Sequence, residues 1–155
     1  GNIELDIKDF LKQSKYKNNA KIGLEFKNSI INILNFDLII EKFANTFISG
    51  TILEKNKKKY LIFSGTFDAF DEKKTYTTLL IPVNKRKHKL DFQFEAKYDF
   101  SNNDLIIEKF INNKDNFTEK EIEILNNHIE NYVQNKSLNE IFNIFKFRRF
   151  VNNLI

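Results

Sequence analysis

The chain contains no cysteine, methionine or tryptophan, one proline, four glycines and two histidines in 155 residues. Without cysteine there is no disulfide framework, no thiolate zinc site and no cysteine nucleophile, and two histidines leave little for an imidazole-based metal site. Four glycines provide neither GxGxxG nor GxxxxGK[ST] to cradle a phosphate, and no GxSxG elbow presents a serine. His88 lies in a lysine-rich stretch and His128 among helix-patterned polar residues, so neither has a partner at metal-ligand spacing, and no metal or cofactor is expected. No apolar run reaches the roughly 18 to 20 residues that a spanning helix needs. Most enzyme chemistries lose their usual parts, and what remains is an architecture and a charge distribution.

The chain nonetheless has the means to fold. Seventeen Phe and five Tyr provide large apolar side chains, too many for a disordered chain despite the wealth of Asn and Lys. The length suits one hydrophobic core, so residues 1–155 are read as a single domain. A chain that starts at Gly1 and has no methionine is expected to be trimmed, either at a cleaved tag or just after a signal segment.

Ile3, Ile7, Phe10 and Leu11 recur at helical spacing and predict a short amphipathic N-terminal helix. From Lys21 to Asp71 the rhythm becomes that of strands, with Ile31, Ile33, Leu38 and Ile40, then Thr46 to Leu53 and Tyr60 to Phe70. The clearest pattern is Leu90, Phe92, Phe94, Ala96, Tyr98 and Phe100 alternating with Asp91, Gln93, Glu95, Lys97 and Asp99. A strict period of two puts one face on the core and one in water. Ser101 to Asp104 is turn chemistry, and Leu105 to Ile111 returns as the hairpin partner. Thr118 and Glu121 fit a capping box with Phe117 and Ile122 as its hydrophobic staple. Downstream, Ile122, Leu125, Ile129, Tyr132 and Val133 form one apolar stripe. Residues 138–155 suit a helix through Ile141, Phe142, Phe145 and Phe150, or a strand around Phe145 and Phe147. The expected fold class is α+β: a short N-terminal helix, then a curved antiparallel meander of about five or six strands packed on a C-terminal amphipathic helix.

Two basic clusters fall in predicted turns: Lys57, Lys58 and Lys59, preceded by Lys55, and Lys85, Arg86 and Lys87, followed by Lys89. Successive turns of a meander alternate between its ends, which predicts turns 54–59 and 84–88 at one end and 71–75 and 101–104 at the other. Clustered lysines can solvate loops and protect edges, or attract anionic lipid headgroups or nucleic acid. Nucleic acid is not expected, because aromatics that stack bases must be exposed and here they fall on apolar faces. Asp68, Asp71 and Glu72, the pair Asp91 and Glu95, and Glu119, Glu121 and Glu123 are read as structural carboxylates, since no cleft marks an acid and base pair. The aromatic stripe is either core or the wall of an apolar cavity.

In this order of elements the chain resembles the YceB-like bacterial lipoproteins, relatives of the tubular lipid-binding (TULIP) superfamily. Asp6 to Gln13 looks like the leading helix of that family, Lys59 to Phe67 like its strand with a small-residue-Gly step, and Lys89 to Ile111 like its long hairpin. Thr118 to Val133 resembles its long helix, and Phe142 to Phe147 its closing strand. The resemblance covers most of the chain and carries no catalytic motif. It implies a curved sheet around a helix with an apolar slot between, lined here by Phe63, Phe67, Phe92, Phe94, Tyr98, Leu125 and Ile129. It also implies a mature chain tethered in the cell envelope, on its periplasmic or surface side, by a lipidated cysteine upstream of residue 1. The expected function is then non-enzymatic binding of a lipid or other apolar ligand. Lys57, Lys58, Lys59, Lys85, Arg86 and Lys87 would meet anionic headgroups or an anionic membrane surface. The alternative is a solid-cored envelope or surface module that contacts a protein partner and has no small-molecule ligand.

Overall fold

The computed structural model describes residues 1–10, 17–78, 82–86 and 90–133. Its frame is one antiparallel sheet of eight strands in sequential order: β1 (Asn2–Lys8), β2 (Asn18–Lys27), β3 (Ile30–Ile40), β4 (Ala44–Lys55), β5 (Lys58–Ala69), β6 (Asp91–Asp99), β7 (Asp104–Asn112) and β8 (Asp115–Asn116). Two helices accompany it, α1 (Glu72–Thr78) and α2 (Glu119–Val133), with a short 3₁₀ turn at Val83–Lys85. The α+β class therefore agrees with the sequence, while the strand count is higher.

The extra strands have identifiable causes. The stretch 18–40 holds two strands because Asn28 and Ser29 take φ of 50° and 62°, the left-handed pair of a type I′ turn. Asn56 and Lys57 (53° and 62°) and Asn113 and Lys114 (49° and 73°) make the same turn between β4 and β5 and between β7 and β8. In each case an Asn opens the turn, a residue that tolerates the left-handed region better than most.

The N-terminal helix is not formed over residues 2–8, which are strand β1. Ile3 and Ile7 fit helical spacing, but Ile3, Leu5 and Ile7 also alternate with Glu4, Asp6 and Lys8. Pairing with β2, from Asn2 opposite Glu25 to Lys8 opposite Asn19, decides for the strand. The ring of Phe10 meets that of Phe36 edge-on at 5.5 Å. Leu11 and the rest of the proposed leading helix to Gln13 lie outside the described residues, as does the whole of 138–155.

The predicted hairpin of β6 and β7 is present, and its turn is stitched by Asp99, which accepts from Ser101 N (2.8 Å) and from Asn102 Nδ2 (3.0 Å). The helix start also agrees. Thr118 N donates to Glu121 Oε2 at 2.8 Å and Glu121 N to Thr118 Oγ1 at 3.4 Å, while Phe117 and Ile122 both pack on the core beneath α2.

Register decides which side chains share a face. Opposite residues share a side, so the chain of pairs Ile7–Ala20, Ala20–Leu38, Leu38–Thr46, Thr46–Phe67 and Phe67–Phe92 lies on one face, as does Ile33–Gly50, Gly50–Phe63 and Phe63–Ala96. Register shifts at Gly23/Leu24, between Ile33 and Phe36, and at Glu95/Ala96 are bulges that restore the phase of this face where strict alternation fails. Both helices sit on it. Tyr76 of α1 is buried with Leu90 against Phe67, Ala69 and Phe92, and Leu125 and Ile129 of α2 are buried with Ala96 and Ile107.

Candidate functional site

The helix-bearing face divides into a covered part and an open part. Over β5–β7 the nominated ligand residues are brought together, but against one another. The rings of Phe63 and Phe94 meet edge-on at 5.9 Å, Phe67 and Phe92 stack at 5.7 Å, and Phe92 continues to Phe110 at 5.5 Å. Leu125 and Ile129 keep only 4% and 6% exposure beneath α2. Aromatic rings at these separations are in packing contact, so the four rings lie against one another across β5 and β6. Tyr98 stands aside, its ring against Phe100 and its hydroxyl donating to Asn103 Oδ1 at 3.1 Å.

Close approach here depends on glycine. A Cβ on Gly65 would lie 2.6 Å from Phe94 Cζ and 2.8 Å from the Phe47 carbonyl oxygen, and one on Gly50 would lie 2.7 Å from Phe63 Cβ. The ring of Phe94 thus lies over β5 because Gly65 has no side chain at the point of contact, while Gly50 lets the β5 backbone at Phe63 come close to β4.

Two open cavities lie among the described residues, one beside α2 and one on the opposite face of the sheet. One of about 460 Å³ lies between the second half of α2 and the β6–β7 turn, lined by Asn102, Asn103, Asp104, Leu105, Ile106, Asn126, Asn127, Ile129 and Glu130. Of the nominated residues it touches Ile129 alone, and its wall mixes amides and carboxylates with Leu105, Ile106 and Ile129. The other, about 210 Å³, is bordered by Phe47, Gln93, Phe94, Glu95 and Lys109 among others.

Among the described residues neither helix packs over β1–β4, where the face is open toward the Phe26 end and closed at the other by Phe10 against Phe36 and by the buried Ala20 and Ala44. Ile3, Leu5 and Ile7 of β1, Ile22, Leu24 and Phe26 of β2, Ile31, Ile33, Phe36, Leu38 and Ile40 of β3, and Ile48 and Ile52 of β4 all share it by register. Of these large apolar side chains Ile3, Leu5 and Phe26 are 46%, 45% and 40% exposed, and the rest are half-buried. The buried clusters that hold α1 and α2 draw instead on β5, β6 and β7. Adjacent half-buried and exposed apolar side chains can form a binding surface where a lone one does not. The sequence carried a signal for it in the alternation of Ile22, Leu24 and Phe26, which the adjacent Ile30 and Ile31 and two bulges obscured.

The two basic clusters do not share an end. The stretch 70–90 is one connection holding α1 and the 3₁₀ turn, with no strand among its described residues, so 71–75 and 84–86 fall at the same end of the sheet and 54–59 at the other. The expected alternation failed because it counted a strand where α1 stands. Lys57, Lys58 and Lys59 are exposed at the turn end, joined there by exposed Lys27 and Lys55. Lys59 stands opposite Glu54 and Lys55 opposite Lys58. Arg86, at the far end, lies with its guanidinium 5.8 Å from the Tyr76 ring centre, while Lys87, like His88 and Lys89, lies outside the described residues. Lys85 belongs to the 3₁₀ turn at that far end.

Among the described residues no three His, Asp or Glu side chains gather closely enough to hold a metal ion, and no helix is long and apolar enough to cross a membrane. Glu95 pairs with Lys109 at 3.2 Å, both more than half exposed, an arrangement worth little in stability. Comparison with protein-family models, with curated proteins and with solved structures finds no match to this chain.

Proposed function

We propose that this chain is a non-enzymatic binding protein that takes a lipid or other apolar ligand on the open face of β1–β4, with Lys27, Lys55 and Lys57–Lys59 meeting anionic headgroups at the adjoining end. One observation carries this reading: a face lined with Ile, Leu and Phe runs through β1–β7 in register, while the buried clusters under both helices use only β5–β7. Burial of apolar surface is worth about 25 cal/mol per Å², so an acyl chain covering on the order of 300 Å² would gain roughly 7 kcal/mol before the cost of ordering it. The site proposed here is beside the helices, because Phe63 and Phe94 pack with the buried cluster of α2, and Phe67 and Phe92 with that of α1. The resemblance to YceB-like lipoproteins adds a setting at a cell-envelope membrane to the proposal.

The test is native mass spectrometry of the protein after incubation with phosphatidylcholine vesicles containing phosphatidylserine, followed by extraction. Bound phospholipid near one per chain is the expected result. Phe26→Glu, at a side chain already 40% exposed, should lose that mass while keeping the circular dichroism of the parent. Charge reversal at Lys57, Lys58 and Lys59 should weaken vesicle binding and flatten its salt dependence. A bare chain mass after incubation would sink the lipid reading. It would favour the second one, a solid-cored interaction module, for which the packed Phe63–Phe94 and Phe67–Phe92 pairs speak.

A further inference from the structure

Among the described residues strand β1 is the outermost strand of the sheet, and its hydrogen-bonding alternation can be fixed from its two ends. Gly1 N donates to the Phe26 carbonyl at 3.0 Å and Phe26 N to the Gly1 carbonyl at 2.8 Å, while Asp9 N donates to the Asn18 carbonyl at 2.7 Å. Antiparallel ladders alternate inward and outward backbone groups, so Ile3, Leu5 and Ile7 turn theirs toward β2. Asn2, Glu4, Asp6 and Lys8 turn their N–H and C=O groups outward. The side chains of these four are exposed on the polar face, and Ile3 and Leu5 are 46% and 45% exposed on the apolar one.

We infer that this edge is a docking site for an extended peptide segment that adds as an antiparallel ninth strand, with basic side chains opposite Glu4 and Asp6 and apolar ones opposite Ile3, Leu5 and Ile7. The backbone supplies affinity and the alternating side chains supply selectivity. Charge selects the partner. Glu4 stands opposite Gly23 on β2, which has no side chain to offset it, whereas Asp6 stands opposite Lys21, so Glu4 carries most of the preference. The same charges turn away a second copy of the chain. Any antiparallel register that pairs five or more residues of two β1 strands sets Glu4 against Glu4, Glu4 against Asp6, or Asp6 against Asp6. Like charges directly opposite destabilise a strand pair. This edge borders the apolar face through Ile3, Leu5 and Ile7, but the pairing of backbone groups at Asn2, Glu4, Asp6 and Lys8 does not depend on lipid binding there.

The experiment is an NMR titration of the uniformly ¹⁵N-labelled protein with the capped heptapeptide Glu-Val-Lys-Val-Lys-Val-Thr, and with a control in which both lysines are glutamate. The expected shifts centre on the amides of Asn2, Glu4, Asp6 and Lys8, with the lysine peptide binding about tenfold tighter than the control. Glu4→Lys should remove or reverse that preference. Asp6→Pro should abolish binding of both peptides with the fold retained, because the N–H it deletes faces outward and contributes nothing to the ladder with β2. Absence of shifts at these amides, equal affinity for the two peptides, or binding that survives Asp6→Pro would overturn the inference. Concentration-dependent self-association lost in Asp6→Pro would assign the edge to a second copy and overturn it as well.

Discussion

Replacing Asn126 with alanine removes a side chain that stands in for a neighbouring strand. Its amide takes both backbone groups of Ile107 in β7: Ile107 N donates to Asn126 Oδ1 at 2.8 Å, and Asn126 Nδ2 donates to the Ile107 carbonyl at 2.9 Å. Ile107 is 8% exposed, and its paired strand β8 reaches only Ile111 and Asn112, so this part of the β7 edge relies on α2. Leaving a buried backbone group without a partner costs about 1–3 kcal/mol, and the half-buried setting of Asn126 lets water recover part of it, giving a gross loss of about 2 kcal/mol for the two bonds. Alanine's better helix propensity offsets roughly 0.5 kcal/mol, so the net loss is about 1.5 kcal/mol. In a chain of this size each kcal/mol moves the thermal midpoint by about 2–4 °C. Asn126→Asp isolates the donor. It keeps an acceptor for Ile107 N but sets a carboxylate oxygen against the Ile107 carbonyl. The introduced carboxyl therefore titrates above its unfolded value, and its penalty relative to the parent grows as pH rises through that range and is relieved on acidification. The assay is urea unfolding followed by far-ultraviolet circular dichroism, in parallel for parent and variants across mildly acid to neutral pH. An alanine variant within about 0.5 kcal/mol of the parent, or an aspartate variant no less stable than alanine at neutral pH, would refute the strand-mimic argument.

Gly65→Ala should destabilise by about 1–3 kcal/mol through overpacking, and Phe94→Leu should relieve only part of it because the added methyl also meets the Phe47 carbonyl oxygen. A double-mutant cycle by urea unfolding checks both statements, and additive losses would count against the ring contact. Lys57→Gly should stabilise the β4–β5 turn by roughly 1 kcal/mol, since Lys57 holds a φ of 62° that only glycine adopts freely. A raised thermal midpoint is the expected readout, and a lowered one would mean that the lysine side chain does more than sit in the turn.

Local chemistry was legible wherever the code is local. The alternation from Leu90 to Phe100, the turn at Ser101–Asp104 and the capping box at Thr118 each depend on residues within a few positions, and all three stand in the structure. The same is true in part of the candidate site: the sequence assigned Phe63, Phe67, Phe92 and Phe94 to one apolar face, and the register agrees. What it did not contain is whether that face was filled. Ring-to-ring packing between β5 and β6 depends on Gly65 lying opposite Phe94, a relation across 29 positions of chain.

Segments compatible with two periods were resolved only by pairing. Ile3, Leu5 and Ile7 satisfy a strand as well as Ile3, Ile7 and Phe10 satisfy a helix, and seven residues' worth of backbone bonding to β2 chose between them. Residues 72–78, set between two strands, form α1 because Tyr76 finds a buried place against Leu90 and Phe67, and the connection that holds it leaves Lys85 and Arg86 at the opposite end of the sheet from Lys57–Lys59. Composition alone removed disulfides, cysteine thiolate chemistry and the glycine-rich phosphate loops, because those need residue types or spacings that the chain does not have. Which apolar side chains meet one another and which face solvent was decided by strand order and register, since burial is a property of neighbours distant in the chain.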